Sequence, residues 1–126
     1  MRSGIVRKGW ALFGIRVEEN GLGATVGMWG EFDVSSLPSL REALDDVSAF
    51  GGPAVVDLSG ITFLDLQSTR ELVVRSLIQA HQLVFQNPSP GVLASIRALG
   101  LEDTTRAWSG PQSGTNREEP QVFSEA

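Results

Sequence analysis

The sequence predicts an α/β domain, and three observations carry that prediction. Two segments with period-two apolar alternation open it, three stripes with helical spacing follow, and short apolar runs separate the helices as strands would. The element order is therefore strand, strand, helix, strand, helix, strand, helix.

Each element has a local cause. Ala11, Phe13, Ile15 and Val17 alternate with Leu12, Gly14 and Arg16, which fits a half-buried strand. EENGLG supplies a turn, and Ala24, Val26 and Met28 alternate with Thr25, Gly27 and Trp29 in a second strand that can form a hairpin with the first. Gly30 is expected to end it. From Leu37 the spacing becomes three and four through Leu40, Ala43, Leu44 and Val47, the stripe of a helix facing a core. Ser35 or Ser36 can cap this helix, Pro38 is tolerated in its first turn, and Gly51-Gly52 stops it.

Ala54 to Leu58 is a nearly continuous apolar run, expected as a central strand covered on both sides. The next helix should begin after Asp65 and bury Thr69, Leu72, Val73, Leu77 and Ala80, with Arg70, Glu71 and Arg75 nearer water. Leu83 to Phe85 make a further short strand. Ser89 then caps a helix whose first residue is Pro90, with Val92, Leu93, Ile96 and Leu99 as its buried stripe. Gly100 takes the left-handed terminal position and Leu101 folds back on Ile96. Residues 1–107 are expected to form the domain and residues 108–126, polar and interrupted by Gly and Pro, a flexible tail in which Trp108 and Phe123 are isolated exposed aromatics.

Composition excludes several function classes. The 126 residues contain no cysteine, which removes disulfides, thiol catalysis and sulfur-ligated zinc. With one histidine, His81, no His pair can seat a metal, and no motif calls for a cofactor. The net charge of -5, without a Lys/Arg stripe, argues against nucleic acid as a direct partner. No window approaches the ~18 apolar residues of a membrane span, and MRSGIVRKGW lacks the hydrophobic region of a secretory signal. The expected location is cytoplasmic.

Ser68, His81 and Asp65 or Asp57 contain the residue types of a hydrolytic triad. However, the G-x-S-x-G elbow is missing, and His81 near a helix end is accounted for by the helix dipole. The chain is thus expected to have no catalytic residues. The NGLGAT glycines precede a strand pattern, so they make a turn and not a phosphate loop. Asp33 and Asp65 each stand before a predicted helix, where a carboxylate satisfies free N–H groups.

Taken in order, Gly30-Glu31-Phe32-Asp33, Val55-Val56-Asp57-Leu58-Ser59, Phe63-Leu64-Asp65 and Asn87-Pro88-Ser89-Pro90, followed by a helix ending Leu99-Gly100-Leu101, resemble the STAS family across Ala11 to Asp103. A short chain of this kind is similar to the anti-sigma-factor antagonist branch. The resemblance implies a STAS-like mixed β-sheet with helices packed against it. It also implies a regulator that binds an anti-sigma factor, often a serine kinase, and is switched off by phosphorylation of the serine after the loop aspartate. The family's Asp-Ser-Ser-Gly stands here as Asp65-Leu66-Gln67-Ser68, which puts Leu66, a residue without a hydroxyl, at the phosphoacceptor position. Ser68 and Thr69 are the possible substitutes. The expected partner surface comprises Asp33, Asp65, Leu66, Gln67, Ser68, Thr69 and Arg70. The alternative within this fold is a scaffold or small-ligand module, and the alternative from another class is a serine hydrolase using Ser68 and His81.

Overall fold

The computed structural model describes residues 3–6, 12–108 and 110, with side chains from residue 12 onward. Five strands form one sheet in the order β1 (Ser3–Val6), β2 (Phe13–Glu19), β3 (Ala24–Phe32), β4 (Ala54–Leu64), β5 (Leu83–Gln86). The β1/β2 and β2/β3 pairs are antiparallel, and the β3/β4 and β4/β5 pairs are parallel. The sheet is mixed for a physical reason: a short turn can only return the chain antiparallel, whereas a helical crossover returns it parallel. α1 (Leu37–Phe50) and α2 (Leu66–Ile78) are the two crossovers, and α3 (Pro90–Ala98) follows β5.

One sheet face holds the core. In β3 the side chains of Ala24, Val26 and Met28 are buried while Thr25, Gly27 and Trp29 are partly open. β4 behaves alike: Ala54, Val56 and Leu58 are buried, whereas Val55 and Asp57 are half-buried. The expectation that this strand is covered on both sides is therefore corrected, since its apolar run reflects branched residues on a half-open face. All five residues of the predicted α1 stripe, Leu37, Leu40, Ala43, Leu44 and Val47, are buried against this layer.

β4 is longer than its apolar run because it carries two bulges. Between Asp57 and Gly60 it spends three residues against two on β3, and between Ile61 and Phe63 it spends two against one. Each extra residue shifts the parity of the strand by one. The buried positions consequently run Ala54, Val56, Leu58, Ile61, Leu64, and Phe63 is turned outward. Gly30 lies at the second shift with φ +89, and a side chain there would meet the Leu12 carbonyl oxygen at 2.0 Å. The glycine expected to end β3 thus lets the strand continue past this contact to Phe32.

α2 buries Thr69, Leu72 and Val73 as expected, but Leu77 and Ala80 are exposed. A step of four residues advances ~40° around a helix, so Leu77 has rotated off the stripe that Val73 borders. Ala80 lies beyond the helix end. Glu71 and Arg75, expected near water, are instead largely covered and join α2 to α1. Glu71 accepts from Arg41 at 3.0 Å and Arg75 at 2.9 Å, and Arg75 also pairs with Asp45 at 2.8 Å.

Ser89 caps α3 by accepting from the Val92 N–H, and its own hydroxyl donates to the Ile61 carbonyl. At the other end, Gly100 has φ +70, and the bonds from Leu101 N–H to Ile96 O and Gly100 N–H to Arg97 O complete the predicted terminus. The chain then turns through residues 101–107, and Trp108 enters the core. Its side chain is 6% exposed and stacks on Phe85 with ring centroids 5.1 Å apart, which corrects its expectation as an exposed tail residue. Phe123 and the rest of the expected tail beyond Gly110 lie outside the described residues. β1 was not expected at all; it is only four residues long, and its pairing with β2 supplies what its composition does not announce.

Two predictions follow from this packing. Trp108→Ala should destabilise the fold by about 3 kcal/mol, the usual scale for removing a buried aromatic; urea unfolding measures it, and an unchanged midpoint would mean that Trp108 is not part of the core. For Glu71, partial burial raises the pKa, but hydrogen bonds and charge from Arg41 and Arg75 outweigh burial and hold it below the ordinary value. A lowered folded pKa contributes stability above the unfolded value of ~4.3 and loses it as pH falls through the folded one. Glu71→Gln should accordingly lower stability at neutral pH and flatten its decline in acid. Parallel pH profiles for variant and parent would contradict this.

Candidate functional site

The parallel ends of β3 and β4 bring the two aspartate loops together. The Asp65 N–H donates to the Phe32 carbonyl at 3.0 Å, so the pairing continues to the residue before Asp33. Adjacent strands are ~4.8 Å apart, and Asp33 and Asp65 leave the sheet side by side.

Asp65 has extended backbone angles and caps α2: its Oδ1 accepts from the Ser68 N–H at 2.9 Å. Its carbonyl accepts from the Thr69 N–H at 2.9 Å and the Thr69 hydroxyl at 2.7 Å. The first turn is therefore fixed by one residue from two directions. Asp33 is organised differently. Its Oδ1 accepts from the Ser35 hydroxyl at 2.6 Å and the Ser35 N–H at 2.9 Å, and these bonds hold its pKa below the ordinary carboxylate value. Ser36 occupies the cap position of α1 but makes no side-chain bond to the helix; its hydroxyl turns back and accepts from the Asp33 N–H at 2.9 Å.

The predicted surface residues divide into two groups. Leu66, Gln67 and Arg70 face solvent, as does Asp33, and Leu66 is 55% exposed. Ser68 and Thr69 face inward, at 0% and 1%. The Ser68 hydroxyl is buried without a hydrogen-bond partner among the described residues, and the Thr69 hydroxyl is held by Asp65. Their direction follows from the cap, which fixes the phase of α2 so that residues three and four after Asp65 turn to the sheet.

The same edge exposes apolar side chains that the sequence reading did not assign to it. Val34 follows Asp33, Phe63 is turned out by the second β4 bulge, and Leu12 lies where its carbonyl accepts from Glu31. The Phe63 signal was legible in principle: Leu64 and Phe63 are adjacent in a strand, so burial of one exposes the other. Beside this edge, Arg41, Gln67, Arg70, Glu71 and Val74 line an open cleft of about 330 Å³ between α1 and α2.

The Ser68 and His81 pair does not form a triad geometry. Ser68 lies in the first turn of α2 and His81 beyond its other end, ~20 Å apart along a helix of this length. No group of three or more potential metal ligands occurs among the described residues, and no described helix is long and apolar enough to cross a membrane.

Comparison with known proteins agrees with this architecture. No curated protein matches the sequence significantly. Among solved structures, an anti-sigma factor antagonist from Mycobacterium paratuberculosis superposes with a TM-score of 0.64 at 24% identity, over 80% of this chain and 87% of that one. The anti-sigma factor antagonist SpoIIAA in its unphosphorylated form gives a TM-score of 0.57 at 18% identity, over 79% of this chain and 89% of that one. At these identities the likeness is one of fold. The model described as "Mlab, STAS domain" matches residues 15–106, from Ile15 in β2 to the turn before Trp108. With most of its length covered by that match, the chain belongs to the STAS family.

Proposed function

We propose that this chain is a regulatory binding protein of the anti-sigma-factor antagonist type, acting in the cytoplasm on an anti-sigma factor of the serine-kinase class, and that it works without the usual phosphoacceptor. The observation that carries the reading is Leu66: an aliphatic side chain exposed directly after the capping Asp65, on the edge shared with Asp33, Val34 and Phe63. The two similar solved structures are both anti-sigma factor antagonists, which supports this partner class.

The missing switch is argued from hydroxyl placement. Phosphoserine carries ~-1.5 to -2 charges and disrupts an apolar or acidic interface, but Leu66 has no oxygen to modify. Ser68 and Thr69, the two nearest hydroxyls along α2, are buried under the helix. Modifying either requires opening the turn that Asp65 holds closed. The binding state is therefore constitutive.

Capture of partners from the native cell, read by mass spectrometry, tests the assignment. The parent chain should retain an anti-sigma factor with a kinase fold, and Leu66→Glu should lose it. That substitution adds a desolvated charge to the interface, yet a glutamate in the first turn of a helix suits the dipole, so the unfolding midpoint should stay within about 0.5 kcal/mol of the parent's. Asp65→Ala should behave differently, lowering stability by about 1 kcal/mol through loss of the cap. Undiminished retention by Leu66→Glu would move the interface elsewhere.

A further inference from the structure

The outer face of α2 is unusually apolar for a solvent-facing helix. Leu66, Gln67, Arg70, Val74, Leu77 and Ile78 share one ~120° sector at 100° per residue. Four of these six are large aliphatics, each about half exposed or more. Arg70 is the only charge among them. Unlike Arg41 and Arg75, which are engaged by Glu71 and Asp45, it has no ion-pair or hydrogen-bond partner among the described residues. Below Arg70 the face opens into a groove of about 260 Å³ between α2 and the edge strand β5, lined by Leu77, Ala80, Val84, Phe85 and Trp108 among others.

The chain itself carries a complementary segment. Residues 111–126 read PQSGTNREEPQVFSEA, in which Val122 and Phe123 are the only large apolar side chains and Glu118-Glu119 stand just before them, after Arg117. Gly110 lies against Asn87, the residue after β5, where a side chain on Gly110 would meet the Asn87 nitrogen at 2.8 Å. Gly110, the last described residue, thus lies at the end of β5, the strand that borders the groove. The eight residues from Gly110 to Glu118 reach at most ~27 Å, more than the ~20 Å length of α2. The spacing also matches: Arg70 and Leu77 are ~10 Å apart along the helix, and Glu119 and Phe123 are ~13 Å apart when extended.

We propose that the segment from Glu118 to Phe123 docks in cis on the outer face of α2, with the glutamate pair on Arg70 and Val122-Phe123 in the groove between α2 and β5. A tethered segment has an effective concentration in the millimolar range, so a weak contact suffices and the cover is reversible. If Leu66, Gln67 and Arg70 also meet a partner, a consequence that rests on the proposed function, the tail competes with that partner and tunes access to it.

The absence of cysteine makes a direct test simple. Ser124→Cys in the full chain carries a nitroxide beside Phe123, and methyl NMR signals of Leu77, Ile78 and Val84 report its proximity. Docking predicts loss of these signals while those of Leu12 and Leu22 persist, with recovery in the double variant Val122→Ser, Phe123→Ser. Arg70→Glu should weaken the loss, and Glu118→Lys with Glu119→Lys in that background should restore it. Uniform attenuation over all methyls would overturn the proposal. So would equal attenuation between spin-labelled chains and separate isotope-labelled chains, which would assign the contact to a second copy. No partner is needed, so failure here is distinct from failure of the proposed function.

Discussion

The parallel pairing of β3 with β4, kept to its last residue despite two bulges in β4, is the constraint on which the rest of the structure depends. Without the bulges, β4 would present every second residue from Ala54 to the core throughout, which puts Gly60 and Thr62 there in place of Ile61. With them, Leu58, Ile61 and Leu64 all reach the core and the strand still ends level with Phe32. The bond from the Asp65 N–H to the Phe32 carbonyl then delivers the chain to α2 at a fixed height, and the Asp65 carboxylate fixes the helix in phase. From these two steps follow the outward direction of Leu66 and the inward direction of Ser68 and Thr69.

Much of this was legible where causes are local. The α1 stripe, the Ser89-Pro90 start and the Gly100 terminus depend on residues within a few positions of one another, and each is found as expected. What escaped depends on distant partners. The bulges erase the period-two pattern after Leu58, so the sequence shows a five-residue run where an eleven-residue strand exists. Trp108 stands in a polar context with no periodicity, and its burial is decided by Phe85, more than twenty residues earlier. Leu77 looked like a core position because it follows Val73 by one helical turn, but the small angular drift of α2 was enough to bring it into the open groove.

The candidate edge was legible in its residues but not in their directions. Asp33 and Asp65 were visible as cap positions, and the structure adds that strand pairing makes them neighbours. The seven surface residues formed a single group in sequence, whereas the capped helix separates Leu66, Gln67 and Arg70 from Ser68 and Thr69. That separation gives physical content to the proposal of a surface without a switch: of these seven residues, Leu66 is exposed and has no hydroxyl, and the two that carry hydroxyls, Ser68 and Thr69, are buried. Val34 and Phe63 extend the same edge in apolar character, which favours recognition of another protein over a small polar ligand.

The claim at the centre of this account is that binding at the α2 edge is constitutive. Affinity for the proposed partner, an anti-sigma factor of the kinase type, measured before and after incubation of the two proteins with ATP and accompanied by intact-mass analysis of this chain, tests it most directly. The account predicts no added phosphate and an unchanged affinity, with both phosphate uptake and loss of binding appearing once Leu66→Ser restores a hydroxyl. Stoichiometric phosphate on Ser68 or Thr69 of the parent chain, with affinity lost in step, would contradict it.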